Sequence, residues 1–358
     1  MRPIPKIDDP TFQKPSKWGS LDQFFLKFIR DERDLPFIYL CFKISFTLIP
    51  LGIILYTPLL TGWMWWAGAA LHLVLGAIVF LGPYTLMLHN TSHRPFFKKD
   101  YNWANKYIPW VLGPFMGQSP DLYFMHHMGM HHSEGNMPLD KSSTMPYQRD
   151  SFIGFMQYYL RFMFIGVFEL MAYFKMKNKP KFIPKIIVGE FSFLFFCVGM
   201  CFLNLGATIA VFVLPLAIIR FAMMSGNWGQ HAFVDANEPN NDYKSSINCV
   251  NTGYNKKCFN DGYHIVHHLV PNMHWTDQPG SFINNTKKYG ENKALVFEGI
   301  DFQMVWFFLM IKNYKKLAKH LIDLHGAFES DEHAIQVMKE RTRKFSKQEL
   351  VKFEPSLA

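Results

Sequence analysis

Four apolar stretches, residues 36–60, 63–88, 186–203 and 205–225, constrain this 358-residue sequence more than any other feature. A helix needs about 20 largely apolar residues to cross a hydrocarbon core roughly 30 Å thick, and each stretch reaches or approaches that length. Their connections are short: Thr61 and Gly62 join the first two, and a turn around Asn204 joins the last two. The pattern predicts an all-α integral membrane protein whose four transmembrane helices form two hairpins. Mean hydropathy is near zero because polar segments dilute the signal. Charged residues make up 18% of the chain, below the roughly 25% usual for soluble domains, which excludes a highly charged disordered scaffold.

The formal net charge is +9, compatible with a nucleic acid partner, an anionic substrate or a membrane surface. Position decides between them. Seven basic residues precede the first stretch, 12 lie between residues 89 and 185, and 16 follow residue 225, whereas only Lys43 and Arg220 fall inside the apolar stretches. The two short connections carry none. By the positive-inside rule both termini and the long central segment face the cytoplasm, and Trp63, Trp65 and Trp66 suit the far interface. The charge then reads as attraction to an anionic cytoplasmic leaflet, and no nucleic-acid recognition motif competes with that reading. The first 35 residues are rich in Lys and Arg but lack the short apolar core of a cleavable signal. Five cysteines without framework spacing point to a reducing compartment, with Cys41, Cys197 and Cys201 read as buried apolar residues.

Three domains are expected: a cytoplasmic segment over 1–35 with an interfacial helix at 16–34, a membrane and metal-binding domain over 36–280, and a cytoplasmic helical tail over 281–358 with a helix near 295–324. Residues 103–124 interleave aromatics with Pro109, Pro114 and Pro120, which places them at the headgroup level. Residues 151–174 are long enough to cross, but Arg161 and Glu169 interrupt them, and a fifth crossing would split the basic population between two sides. They are therefore read as interfacial.

Of 15 histidines, 11 fall in four short windows just outside the apolar stretches. His89 and His93 lie four apart, about 40° from each other on one helical face, so both reach one ion. His127 and His131 repeat that spacing, and His132 is turned by about 100° from His131. His126 competes with His127 for the ligand position, since a local π-bulge absorbs the extra residue. Asn227 and His231 follow the fourth stretch, again four apart. His264, His267 and His268 form an HxxHH, with His274 beyond Pro271. Nine imidazoles exceed the needs of one ion and suit two. Imidazole fits zinc, copper, iron and nickel. No HExxH supports a zinc hydrolase, and no CxxC offers thiolates for iron–sulfur or structural zinc. Iron acting on oxygen beside a lipid chain is the natural use of such a centre.

These motifs resemble the membrane fatty acid desaturase superfamily, in which three histidine boxes flank two transmembrane hairpins. His89 and His93, then His127, His131 and His132, then His264, His267 and His268 match the boxes in order. The resemblance implies a further ligand at His231 and, at Asn227, a side chain that in related enzymes holds a water on the metal. It implies two non-haem irons, O₂ as co-substrate and a lipid acyl substrate. No cytochrome b5-like segment accompanies the boxes, and the third begins with His264 where fused front-end desaturases carry Gln. Electrons are thus expected from a separate protein of cytochrome b5, ferredoxin or rubredoxin type. The run SEGNMPLDKSST after the second box is similar to the alkane hydroxylase branch, so hydroxylation is the alternative to desaturation. A histidine-rich metal transporter is the third reading, but Lys43, His72, Glu190 and Arg220 form no polar path through the apolar stretches.

Overall fold

The computed structural model of the chain describes residues 1–354 and 356. Four helices are long and apolar enough to cross a membrane: Glu32–Ile54, Trp63–His93, Pro180–Leu203 and Leu205–Gln230. The first opens where Asp31 accepts from the Arg33 amide and Pro36 occupies the first turn, both good helix-start chemistry. The fourth opens at Asn204, whose side chain accepts from the Ala207 amide. The start at Trp63 and the end at Leu203 fall where hydropathy puts them, but other ends do not. The second span runs five residues past residue 88 and the fourth five past residue 225, because polar residues there continue the helical hydrogen bonding. His89, His93 and Asn227 consequently ride on the last turns of rigid helices.

The chain gathers into two compact units. One, the span unit, comprises Phe12–Met128 and Phe174–Phe221; the other, the box unit, comprises Met1–Thr11, Gly129–Tyr173 and Ala222–Ala358.

In the span unit, residues 108–121 depart from the headgroup position expected of them. Tyr84 donates to the Ile108 carbonyl at 3.2 Å. The chain then runs through a π-helical turn at Ile108–Leu112 and places the Phe115 ring against Phe212, at 5.3 Å between centroids. A Cβ on Gly52 would meet Phe115, His72 and Val211, each at 3.2 Å, so these side chains converge on one point of the first span. His72 lies some 25 Å along its helix from His89, which makes the segment a deep insertion. Irregular backbone survives at that depth only when protein covers it. Here Gly117, at φ +60°, abuts the backbone of Pro215 and Leu216, and a Cβ on Gly189 would fall 1.9 Å from the Pro120 carbonyl oxygen. Between them Ser119 donates to Glu190 at 2.5 Å, and Arg220 binds both, at 2.9 Å to Glu190 and 3.0 Å to Ser119. All three are buried. The two charges that looked isolated in the sequence are partners holding this insertion. The interfacial helix foreseen at 16–34 contracts to Ser20–Leu26, followed by a 3₁₀ turn at Glu32–Asp34.

The box unit is not purely helical. Strands β1 (Ile247–Val250) and β2 (Leu295–Glu298) pair in parallel from Ile247 with Leu295 to Val250 with Glu298. Each has four residues, too few for an alternating pattern to stand out. The helix expected over 295–324 is replaced by β2 and two short helices, Phe302–Met310 and Tyr314–His320. Residues 151–174 form part of two helices, Phe152–Phe164 and Gly166–Met176, which break at Ile165. Neither crosses a membrane by length and composition, and Arg161 pairs with Glu169 across the break at 2.6 Å. Arg149, fully buried, donates to the carbonyls of Ala232, Arg341 and Arg343 among others, fastening three segments together.

Candidate metal centre

The third box is positioned by β1. Gly262 donates its place to a close approach: a Cβ there would lie 2.1 Å from the Cys249 carbonyl oxygen, which only glycine allows. Cys249 donates its amide to Gly262 at 2.7 Å, and Asn248 accepts from the Ile265 amide at 2.8 Å. The short helix His264–Leu269 is thereby fixed on the sheet. His231 follows directly on the fourth span, and its carbonyl accepts from Thr144 at 2.7 Å.

Within the box unit the ring nitrogens of His131, His231, His264 and His268 all lie within 4.8 Å of one another. His264 Nε2 is 3.1 Å from His231 Nε2 and 3.0 Å from His268 Nε2. At the roughly 2.0–2.1 Å of a zinc–imidazole bond, two ligands at right angles are about 3 Å apart and opposed ligands about 4.2 Å, so the spacing fits first-row metal coordination. The tautomers agree. His131 Nδ1 is 2.7 Å from Asp140 Oδ2 and His231 Nδ1 is 3.0 Å from the Ser245 carbonyl, so in each ring Nδ1 carries the proton and Nε2 presents a lone pair. A single proton on His264 cannot bridge both of its short contacts. A cation shared among the nitrogens accommodates both contacts. Burial, with the adjacent His131 adding to it, pulls His231 down to about 3, which keeps the ring neutral as a ligand must be.

His132 and His267 form a further pair in the same unit, Nε2 to Nε2 at 2.9 Å. In the span unit the ring nitrogens of His89, His93 and His127 lie within 4.8 Å of one another, with His93 Nε2 3.0 Å from His127 Nε2. A π-helical turn spans His127–His131. His127 stacks on Tyr123 at 5.2 Å and belongs to this cluster, whereas His126 does not. His274 bonds Thr276 at 2.8 Å and joins neither group.

Asn227 directs its amide nitrogen at the Ser142 carbonyl, 3.2 Å away, and at the Tyr158 hydroxyl, 2.6 Å away. A carbonyl only accepts, so the amide orientation is set, both N–H protons are used, and Oδ1 is left as an acceptor. Tyr158 in turn donates to the Ser142 carbonyl at 3.2 Å. Burial pushes the Tyr158 phenol well above its usual range, so it remains protonated. Ser142 closes the circuit by donating its amide and hydroxyl to Asp140 Oδ1 at 2.8 and 2.7 Å. Sequence reading found every histidine of these clusters but missed Asp140, Tyr158 and Ser245. A signal existed for Asp140 alone, the one carboxylate in the run Asn136–Thr144, whose Asn and Ser residues favour turns.

Comparison with known proteins bears on this arrangement. No curated protein and no solved structure matches the chain. The family model described as Fatty acid desaturase matches residues 63–280, well over half of the chain, from the second span through the third box. The protein belongs to the fatty acid desaturase family.

Proposed function

We propose that this protein is a membrane-bound, O₂-dependent di-iron oxidoreductase that introduces a double bond into a fatty acyl chain. The observation that carries the reading is the set of imidazole nitrogens at coordination spacing on boxes of this family. One iron is assigned to His131, His231, His264 and His268, with Asn227 as a further candidate ligand. The remaining candidate iron ligands are His89, His93 and His127 in the span unit and His132 and His267 in the box unit. Two irons supply the activation of O₂ and the oxidising power to take hydrogen from an unactivated C–H bond.

The protein's own contribution is orientation. Asp140 and Ser245 hold His131 and His231 in the tautomer that presents Nε2, and Tyr158 with Ser142 turns Asn227 Oδ1 outward as an acceptor. Neutral ligands add little negative charge, which suits a strongly oxidising centre. The reaction consumes one O₂ with two electrons and two protons from a separate donor protein, and yields the alkene and two waters. Both termini and the metal centre are assigned to the cytoplasmic side by the distribution of Lys and Arg, the four spans to two hairpins, and residues 1–35, 36–280 and 281–358 to entry segment, catalytic domain and tail.

The test is turnover of the iron-loaded protein in nanodiscs with acyl-CoA and lipid-linked acyl substrates, a reduced donor and O₂, with products identified by mass spectrometry. Loss of two hydrogens supports desaturation. Gain of one oxygen transfers the assignment to hydroxylation. Metal uptake into proteoliposomes without any acyl product overturns both.

A further inference from the structure

Two helices of the box unit present large apolar side chains outward. On Phe152–Phe164, Ile153 is 71% and Phe164 70% exposed, and Leu160 between them is also exposed. On Phe302–Met310, Met304, Phe307 and, one residue beyond the helix, Ile311 follow at i, i+3 and i+7, with Phe307 52% and Ile311 53% exposed. That spacing is one helical stripe. The opposite faces are joined by aromatic packing: Phe155 lies 5.0 Å from Trp306 and 5.5 Å from the fully buried Trp228. The second helix is also tied to the end of the fourth span. Gln303 donates to the Ala222 carbonyl at 2.8 Å and accepts from the Ser225 hydroxyl at 2.7 Å. A span's end is where hydrocarbon gives way to headgroups, so the exposed stripe is continuous with that boundary.

The next residues change character. Lys312, Lys315, Lys316 and Lys319 are all exposed, while Tyr314, Leu317 and Ala318 between them are buried. An apolar stripe followed by clustered lysines is the double signal of stable membrane attachment. A second copy of the chain fits less well, because a two-fold contact would set the four lysines of each copy near those of the other. An acidic soluble partner would satisfy the lysines and leave the apolar stripe in water.

We propose that residues 302–319 form a lipid anchor of the box unit, in which Met304, Phe307 and Ile311 enter the acyl boundary and the four lysines meet anionic phospholipid headgroups. This requires only that the long helices cross a bilayer and stands apart from the catalytic reading.

The full chain, reconstituted in nanodiscs, carries a bimane label at Phe307→Cys or, as a control on an exposed helix start, at Glu332→Cys. Both are made with Cys201→Ser, the other four cysteines being buried. Brominated acyl chains are expected to quench the label at position 307 several-fold more than the control. Adding phosphatidylserine to phosphatidylcholine should deepen that quenching, and Lys315→Glu with Lys319→Glu should cancel the phosphatidylserine effect. Equal bromine quenching at both positions, or equal quenching by aqueous iodide, overturns the proposal. So does excimer formation between pyrene labels at position 307, which assigns the stripe to a second copy. Charge reversal that raises KM for a reduced donor and leaves lipid quenching unchanged overturns it as well, giving the lysines to a donor surface.

Discussion

His131 Nδ1 and Asp140 Oδ2 lie 2.7 Å apart with both side chains almost wholly shielded from solvent. Four donors converge on that carboxylate: His131 Nδ1, the Asn136 amide at 3.2 Å, and the Ser142 amide and hydroxyl. Asp140→Asn puts an NH₂ group where one of them must be accepted and removes the charge that makes His131 a stronger ligand. Supporting partners of this kind are worth about 10- to 100-fold in metal affinity. A chelator competition titration should show a loss of that size for Asp140→Asn, with the protein still folded by circular dichroism.

His264 stands between His231 and His268, so its removal breaks both short contacts of the four-histidine cluster. His264→Ala is expected to lose one metal ion per chain, measured by elemental analysis of the purified protein. His274→Ala, ten residues further on but bonded to Thr276, should retain full metal content.

The two adjacent histidines of the second box separate cleanly. His127→Ala should reduce metal content and abolish turnover, since His127 clusters with His89 and His93. His126→Ala should cost less of both, because His126 belongs to neither histidine cluster. The reverse pattern would assign the ligand position to His126.

Arg220 and Glu190 are buried partners, and removing one leaves the other uncompensated. Arg220→Met should destabilise the protein by about 3–5 kcal/mol, and adding Glu190→Leu should recover most of the loss, because replacing both charges removes the uncompensated one. Unfolding of the detergent-solubilised protein in SDS mixed micelles measures both. A double variant as unstable as the single one would contradict the pairing.

The spans and the histidines were legible because each depends on local pattern: twenty apolar residues in a row, or imidazoles three and four apart. The extra turns carrying His89, His93 and Asn227 were not, since hydropathy ends where polarity begins although the hydrogen bonding continues. Asp140 reaches His131 only because the Asn136–Thr144 loop folds back, and Glu190 meets Arg220 across 30 residues. No periodicity reports such closures. The prolines of residues 109–120 looked like surface punctuation, yet the same residues suit a segment whose carbonyls are covered by neighbouring helices. Strands β1 and β2 escaped notice because pairing, rather than pattern, defines runs of four.

The deep insertion imposes an order on synthesis. Pro120 rests against Gly189, Gly117 against Pro215, and Ser119 against Arg220, so residues 117–120 acquire these neighbours only once the third and fourth spans have emerged from the ribosome. Until then the irregular backbone of this segment lacks the protein cover that such backbone requires within a membrane. A polypeptide ending before the fourth span is thus not a weaker version of the finished molecule. It lacks the Pro215 and Arg220 partners that Gly117 and Ser119 have in the finished fold.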